Sequence, residues 1–215
     1  MQDFIDRRDA GRILALKLLE YANRSDAIVL ALPRGGVPVA YEVAVALSLP
    51  LDIFIVRKLG VPGSEEFAMG AIASQGIQVL NDNVIQQRQV SAHDLQLVIE
   101  RETQELARRE LVYRNNLPPL NVKNKVVILV DDGIATGATM RAAVKALRVM
   151  QPSFIVIAVP VVEKNMSEKM KLIADKVIYA INPEVFYAVG EFYQDFSQTT
   201  DEEVIALLRS DGLEK

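Results

Sequence analysis

Two continuous apolar runs in the chain are each followed by a short turn-rich loop and then by apolar residues at helical spacing. The first run covers residues 27–32 and precedes a helical pattern over 39–47, and the second covers Val126–Val130 and precedes a helical pattern over 140–147. Strands that are apolar on both sides are typical of a parallel sheet that helices cover on both faces. We therefore predict an α/β fold with a mostly parallel central sheet and helices on both of its faces.

Other segments extend this sheet and its helical layers. Residues 52–56 form a further apolar run, which we predict as a buried strand that ends at Arg57 and Lys58. The next segment, 59–70, is rich in turn residues and predicts a mobile active-site loop. The remaining predicted elements are strands near 70–74, 77–80, 154–159 and 176–180 and helices near 9–21, 167–174 and 201–210.

Residues 81–120 interrupt the alternation of strand and helix. Ser91, followed by Asp94 three residues later, is typical of a capping box, and the apolar positions after it predict an amphipathic helix to about Arg114. We expect this helical excursion to shape an acceptor-binding pocket or to form a contact in a homodimer. The one histidine, His93, falls at the helix start, where no acid or nucleophile partner is identifiable, so we predict a surface or capping role.

Composition limits the kinds of protein that this chain can be. Its 215 residues, half of them hydrophobic and 24% charged, suit a single globular domain over 1–215 with a sizeable core. A net charge of -4 makes nucleic acid an unlikely main partner. The lack of cysteine excludes disulfides and favours a reducing cytoplasm. The polar N-terminus and the absence of any apolar run of bilayer length predict neither signal peptide nor membrane anchor.

Two acids, Asp131 and Asp132, stand directly after the second apolar run. Parallel α/β sheets bind ligands outside the C-terminal ends of their strands, so we expect both carboxylates at the ligand edge. The sequence Thr136-Gly137-Ala138-Thr139 then opens the predicted helix, where backbone amides, the helix dipole and two hydroxyls suit a phosphate. Together they suit a ligand with a phosphate and vicinal hydroxyls, such as a ribose 5-phosphate. A βα turn capped by the acids is the structural alternative.

The loop after the first apolar run is Pro33-Arg34-Gly35-Gly36. Adjacent glycines allow the backbone to approach a ligand closely, and the arginine offers a delocalised charge with several donors, so the loop suits a polyanion such as pyrophosphate. A tight βα turn with a solvated arginine is the structural alternative. Arg57 and Lys58 either neutralise a phosphate as well or pair with the acids at positions 65 and 66.

Residues 130–139, VDDGIATGAT, resemble the phosphoribosyl pyrophosphate (PRPP) signature of type I phosphoribosyltransferases, in which apolar residues precede two acids, a variable trio and Thr-Gly-x-Thr. The loop 33–36 is similar to the pyrophosphate loop of this superfamily, especially the Arg-Gly-Gly form of bacterial xanthine-guanine phosphoribosyltransferases. The resemblance covers most of the chain in the order of elements, but only these two loops carry specific motifs. The PRPP-binding residues that it implies are Arg34, Gly35, Gly36, Arg57, Lys58, Asp131, Asp132, Gly133, Ile134, Ala135, Thr136, Gly137, Ala138 and Thr139.

The same resemblance implies a reaction and a cofactor. Ribose 5-phosphate would pass from PRPP to an acceptor nitrogen, such as that of a nucleobase or related heterocycle, with release of pyrophosphate. Arg34, Lys58, Asp131 and Asp132 would carry catalysis. Mg²⁺ would arrive mostly through PRPP oxygens and water, with the two acids as indirect ligands. The alternatives from other classes are a PRPP-binding regulator without turnover and a non-catalytic interaction scaffold.

The segment 181–200 resembles the hood over the base in hypoxanthine-guanine phosphoribosyltransferases. On this resemblance Tyr187, Val189 and Asp195 would bind the acceptor, although the Asp stands one place later than in that family. Ordinary packing of the aromatic residues against the core is equally compatible. Ala135 stands where those enzymes have a third acid for proton transfer, so a general acid or base must come from elsewhere, for example from Asp195 or Lys58.

Overall fold

A computed structural model of the protein describes residues 3–114 and 118–210. Its centre is a sheet of five parallel strands in the order β2-β1-β6-β7-β8. In chain order these strands are β1 (Ala27–Ala31), β2 (Leu51–Ile53), β6 (Val126–Val130), β7 (Phe154–Val161) and β8 (Lys176–Ile181). β1 and β6 pair in register, from Ala27 opposite Val126 to Ala31 opposite Val130. Their C-terminal ends therefore lie side by side, and so do the two loops that follow them.

Helices cover both faces of this sheet, which confirms the predicted fold class. Side chains alternate between faces along a strand: Val29 and Ala31 pack on one side, and Ile28 and Leu30 on the other. The first face is covered by α1 (Arg7–Ala15), α2 (Gly36–Leu47) and α7 (Asp201–Ser210), and the second by α5 (Ala138–Val149) and α6 (Lys164–Lys171). Both faces of the central strands are therefore removed from water, which explains their continuous apolar runs.

A second, antiparallel sheet of three strands confirms the strands predicted near 70–74 and 77–80 but departs from the prediction for the residues before them. It contains β3 (Val56–Val61), β4 (Ser64–Ala73) and β5 (Ile77–Leu80). The prediction of one buried strand over 52–56 was wrong, because the chain leaves the central sheet after Ile53 while Phe54 and Ile55 remain buried. The segment predicted as a loop, 59–70, is instead largely a hairpin. Its alternation is obscured by irregular pairing around Gly60.

The helical excursion contains α3 (Asp82–Gln87) and α4 (Ala92–Arg114). The predicted capping box is confirmed: the Asp94 amide donates to Ser91 Oγ at 3.0 Å, and that hydroxyl donates to Asp94 Oδ2 at 2.7 Å. His93 is exposed, as predicted. Val98 and Leu106 pack α4 into the core on the side of α7. The last part of the predicted excursion includes residues 115–117, which lie outside the described residues.

The C-terminal segment joins the N-terminus of the chain. A short 3-10 helix over Val189–Phe192 leads to Tyr193, and Phe192 and Tyr193 form a small core with Phe4. The amide of Phe4 donates to the Phe192 carbonyl at 2.8 Å, and the amide of Gln194 donates back to Phe4. Core packing of these aromatic residues is therefore confirmed. No helix within 3–114 or 118–210 is both long and apolar enough to cross a membrane.

Candidate functional site

The two acids at the end of β6 are held by residues distant in sequence. Asp131 Oδ1 accepts the backbone amide of Asp132 at 2.9 Å, and Asp132 Oδ2 accepts Arg7 Nε at 2.9 Å. The Tyr193 hydroxyl donates to the backbone carbonyl of Asp132 at 2.6 Å. Helix α1 and the C-terminal segment therefore fix the position of Asp132, and the Asp132 amide in turn holds the Asp131 carboxylate.

Burial decides the electrostatics of the same two carboxyl groups. Burial raises the pKa of Asp131 well above its usual range, and the neighbouring Asp132 charge raises it further. Burial also raises the pKa of Asp132, but the Arg7 guanidinium opposes that shift. The free site therefore holds two acids that gain from polar partners such as the hydroxyls of a ribose.

A small cavity of about 170 Å³ follows the acids and is lined by Asp131, residues 133–140 and Val189. Gly137 ends this loop with a φ of 69°, which favours glycine, and an added Cβ would lie 2.9 Å from the Met166 and Met170 side chains of α6. The amide of Ala138 donates weakly to Thr136 Oγ1 at 3.4 Å, and the next amides of α5 have no partner within the helix, so they are available to a phosphate. Arg141, one turn into α5, donates to the Thr136 carbonyl at 2.8 Å and adds a cation beside this cradle.

The loop after β1 packs directly on the acid pair. A Cβ added to Gly35 would overlap Asp132 Oδ2, and a Cβ added to Gly36 would lie 2.8 Å from the Val130 carbonyl oxygen. Both positions therefore favour glycine because a side chain has too little space. Backbone conformation is not the reason at Gly35, where the backbone is ordinary right-handed helical with a φ of -59°. The structure thus brings the Arg34-Gly35-Gly36 loop and the acids together.

Arg34 reaches from this loop to the start of α7. Its Nη1 lies 3.4 Å from Asp201 Oδ1, and the same oxygen accepts the Tyr113 hydroxyl of α4 at 2.6 Å. Burial and the Asp201 charge raise the pKa of Tyr113 to about 12. The Tyr113 hydrogen bond and, to a lesser degree, Arg34 lower the pKa of Asp201. The arginine predicted to bind pyrophosphate therefore already has an anionic neighbour.

Arg57 and Lys58 lie on β3 rather than at the end of a parallel strand. Arg57 Nη2 pairs with Glu102 of α4 at 2.6 Å, whereas Lys58 is exposed. Both residues nevertheless line a cavity of about 350 Å³ to which Pro33 and Thr139 also contribute. The small sheet thus presents the two cations next to both predicted ligand loops.

The three predicted acceptor residues are not brought together. Val189 lies against Gly133, where an added Cβ would be 2.5 Å from the valine Cγ1. Tyr187 is 81% exposed. Asp195 lines a different cavity of about 130 Å³ with Arg7 and accepts the Ser197 amide at 2.9 Å. Phe192 and Tyr193, which lie between Val189 and Asp195 in the chain, turn into the core.

Several residues around the site were missed as functional candidates. Glu102 stands on the apolar face of α4 between Val98 and Leu106, and a charge at such a position is a usable signal of a buried partner. Arg7 and Asp201 lie on exposed-looking helix starts, and no sequence pattern distinguishes them. Their roles arise only because the chain termini return to the ends of β1 and β6.

The residues around the acids suit a Mg²⁺ ion that a phosphate ligand brings with it. Within the described part of the chain, no cluster of three or more potential ligand side chains could hold a metal by itself. Asp131, Asp132 and the Thr136 and Thr139 hydroxyls supply oxygen groups of the kind that Mg²⁺ prefers, directly or through water. The donor set therefore fits a metal held mainly by its substrate.

Comparison with known proteins gives one consistent family. The model of the phosphoribosyl transferase domain matches residues 5–197. Two Mycobacterium tuberculosis proteins, "Putative phosphoribosyl transferase MT0597" and "Putative phosphoribosyl transferase Rv0571c", are each 42% identical over 208 residues. These residues are 97% of this chain but 47% of each relative, so the chain spans about half their length. The crystal structure of TT1426 from Thermus thermophilus has a TM-score of 0.87 and 41% identity, covering 97% of this chain and 98% of that one.

Proposed function

This chain belongs to the phosphoribosyl transferase family, and we propose that it transfers ribose 5-phosphate from PRPP to an acceptor nitrogen of a nucleobase or related heterocycle, with release of pyrophosphate. One observation carries the proposal: Gly35 and Gly36 pack against Asp132 and Asp131 so closely that no side chain fits between the loops. A hydroxyl-binding acid pair, a phosphate cradle and a cationic loop therefore meet within reach of one ligand.

Each part of PRPP has a matching group in this arrangement. The 5-phosphate suits the α5 cradle over residues 136–139, because helix amides and hydroxyls converge there. The ribose hydroxyls suit the carboxylates of Asp131 and Asp132. The diphosphate suits the side of the site with Arg34 and Lys58, where the chain offers cations.

The proposed chemistry requires positioning more than covalent assistance. The bond between the ribose anomeric carbon and the diphosphate oxygen breaks, its electron pair leaves with pyrophosphate, and the acceptor nitrogen forms the new bond. Bound Mg²⁺ would neutralise charge on the leaving group. Arg34 and Lys58 add to that stabilisation, while the acid pair orients the ribose and lies beside its developing positive charge. The acceptor loses its proton to solvent or to a base outside position 135.

A PRPP-binding regulator without turnover is the second candidate, and Ala135 is the observation that favours it. Its methyl group lines the loop where hypoxanthine and guanine enzymes place a proton-transferring acid, and a methyl group moves no proton. Under this alternative the same groups would bind PRPP, but pyrophosphate would not be released.

An acceptor screen tests the proposal and separates the two candidates. Purified protein is supplied with Mg·PRPP and pools of nucleobases, related heterocycles and amines while released pyrophosphate is measured. We expect at least one pool to give turnover that the folded Asp131→Asn, Asp132→Asn double variant lacks. Calorimetric binding of Mg·PRPP without release in any pool supports the regulator, and no binding at all contradicts both functions.

A further inference from the structure

The cavity between β3 and α4 is lined by positively charged side chains that lie outside the two predicted ligand loops. We name this 350 Å³ space the α4 cavity. Its charged lining consists of four cations, Arg57, Lys58, Arg101 and Arg109, and two acids, Glu65 and Glu102. Two of the cations, Arg101 and Arg109, come from α4, which neither ligand motif includes.

Glu102 holds two of these cations, Arg57 and Arg101, in position. Its residue is only 6% exposed, and it accepts Arg57 Nε at 2.8 Å and Arg101 Nε at 3.0 Å. An arginine has five N–H donors, so each guanidinium keeps further donors for a ligand while one edge is held by Glu102. Because Arg57 belongs to β3 and Arg101 to α4, the carboxylate also ties the two walls of the cavity together.

Arg109 stands two turns further along α4 and also lines the cavity. Its Nε donates to Glu105 at 2.7 Å, and its side chain is 27% exposed. Arg108, its neighbour in sequence, pairs with the same glutamate but is 55% exposed and is not part of the lining. Arg108 and Arg109 therefore carry the same charge, lie on the same helix and bind the same glutamate, but only Arg109 lines the cavity.

The position of the cavity indicates which part of a ligand enters it. Pro33, next to Arg34, and Thr139, at the end of the phosphate cradle, both contribute to its lining. None of its lining residues is aromatic, so it offers no ring on which a base would stack. Paired guanidinium groups instead match the geometry of phosphate oxygens.

We propose that Arg101 and Arg109 of α4 bind the diphosphate of PRPP, and pyrophosphate after transfer, completing a site to which Arg57 and Lys58 also contribute and which adjoins the loop of Arg34 at Pro33. This inference rests on the proposed function for its substrate, but it assigns a binding role to a helix outside the ligand motifs. Glu102 is a positioning residue in this site, because it accepts hydrogen bonds from Arg57 and Arg101 and thereby orients both guanidinium groups.

Calorimetry with three probes tests the assignment: Mg-pyrophosphate, Mg·PRPP and ribose 5-phosphate. The variants are Arg101→Ala, Arg109→Ala and their double, with Arg101→Lys as a charge-conserving variant and Arg108→Ala as the matched control. We expect each alanine variant to weaken pyrophosphate and PRPP binding by about 10-fold, because hydrogen bonds to charged groups are the stronger class. Ribose 5-phosphate affinity should stay unchanged, Arg101→Lys should recover part of the loss, and Arg108→Ala should match the wild type.

The possible results separate this inference from the proposed function. Unchanged pyrophosphate affinity in the double variant overturns the α4 site, even if the wild type binds PRPP. Equal losses for all three probes, or an equal loss in Arg108→Ala, overturn it too, because a general charge effect would then explain the data. Binding of pyrophosphate but not PRPP by the wild type retains the diphosphate site and contradicts the proposed function. Failure to bind either probe contradicts both.

Discussion

Asp131 is partly buried between the ends of β1 and β6, and its charge is unfavourable in the free protein. Burial and the Asp132 charge raise its pKa in the folded state. A raised acid pKa means that the group's stabilising contribution is complete below the unfolded pKa and is lost as pH rises through the folded pKa. The folded site therefore disfavours the charged form of Asp131, which is typical of residues retained for binding.

We predict that Asp131→Asn stabilises the free protein above the folded pKa of this group and not in acid. The gain should be on the order of 1 kcal/mol, which corresponds to about 2–4 °C in melting temperature for a chain of this size. Thermal unfolding across a pH series measures it. Asp132→Asn is the contrasting variant, since it leaves the mostly buried Arg7 without its 2.9 Å partner and should lower stability. A stabilisation by Asp131→Asn that does not vary with pH would contradict the argument.

The paired glycines make a second prediction, because they meet different atoms. An added Cβ at Gly35 would strike the end of the Asp132 side chain, whereas one at Gly36 would lie 2.8 Å from the Val130 carbonyl and 2.9 Å from Asp131 Cα. A side chain can move, but the backbone of a central strand cannot move cheaply. Gly35→Ala should therefore weaken Mg·PRPP binding and lower stability less than Gly36→Ala, which should cost about 1–3 kcal/mol. Equal stability losses in both variants would refute this distinction.

Ala135 makes a third prediction, about the acceptor. Of the two substitutes for the missing acid, Asp195 lies across Arg7 in another cavity, which leaves Lys58. We therefore expect hypoxanthine and guanine to be poor acceptors, with a deficit on the order of 10²- to 10⁴-fold relative to a site with a positioned proton carrier. Steady-state rates with both purines, compared between wild type, Ala135→Asp and Lys58→Ala, measure this. Ordinary turnover that survives in Lys58→Ala would show that proton transfer at these positions does not limit the acceptor.

The sequence identifies residues whose role depends on local geometry. It does not identify residues whose role depends on a contact with a segment that is distant in the chain. Gly137 is predictable because it ends the loop after β6 and stands directly before a helix. Arg7 meets Asp132 across 125 positions, and nothing near Arg7 indicates such a partner. The same holds for Tyr193, whose hydroxyl reaches the Asp132 carbonyl from the hood segment.

At the scale of elements, burial on both faces made β1 and β6 predictable almost to the residue. The same property hid the end of β2, because Phe54 and Ile55 pack into the cores on opposite faces and continue the apolar run after the strand has ended. Helix α6 begins three residues before its predicted start, at Lys164. The Glu163 side chain caps it by accepting the amides of Asn165 and Met166.

The contact between α7 and the loop after β1 predicts that α7 restrains the Arg34 side chain. Asp201 Oδ1 lies 3.4 Å from Arg34 Nη1, and both side chains are 34% exposed. A partly exposed pair contributes about 0.2–1 kcal/mol, so Asp201→Asn should raise pyrophosphate affinity by roughly 2- to 5-fold by releasing Arg34. Asparagine can still accept the Tyr113 hydroxyl. Glu202→Gln, in the same helical turn and with the same charge change, is the control. An equal gain in that control would indicate a general charge effect.

At the scale of the whole molecule, the candidate site lies where three parts of the fold meet. The central sheet supplies the acids and the cradle, the antiparallel sheet supplies Arg57 and Lys58, and α4 closes the other side of the α4 cavity. The parallel core was predictable because its strands bury both faces. The docking of β3 and α4 was not, because it depends on the Arg57–Glu102 pair across 45 positions and on the buried pair of Arg114 with Asp52 across 62.

This arrangement predicts that two ligands of the same site will stabilise different amounts of the molecule. Ribose 5-phosphate needs only the cradle and the acids, whereas PRPP also reaches the loop of Arg34 and the α4 cavity under our proposals. Amide hydrogen exchange in the presence of each ligand measures this difference. Each ligand is supplied at 100 times its dissociation constant, so that both stabilise the folded state by the same amount, about 2.7 kcal/mol. We expect both ligands to protect residues 131–141. Only Mg·PRPP should also protect 33–36, 56–61 and 98–109, because local opening of β3 and α4 would require release of the diphosphate. Identical protection maps at matched saturation would contradict this, since they would mean that the diphosphate does not connect the small sheet and α4 to the central sheet.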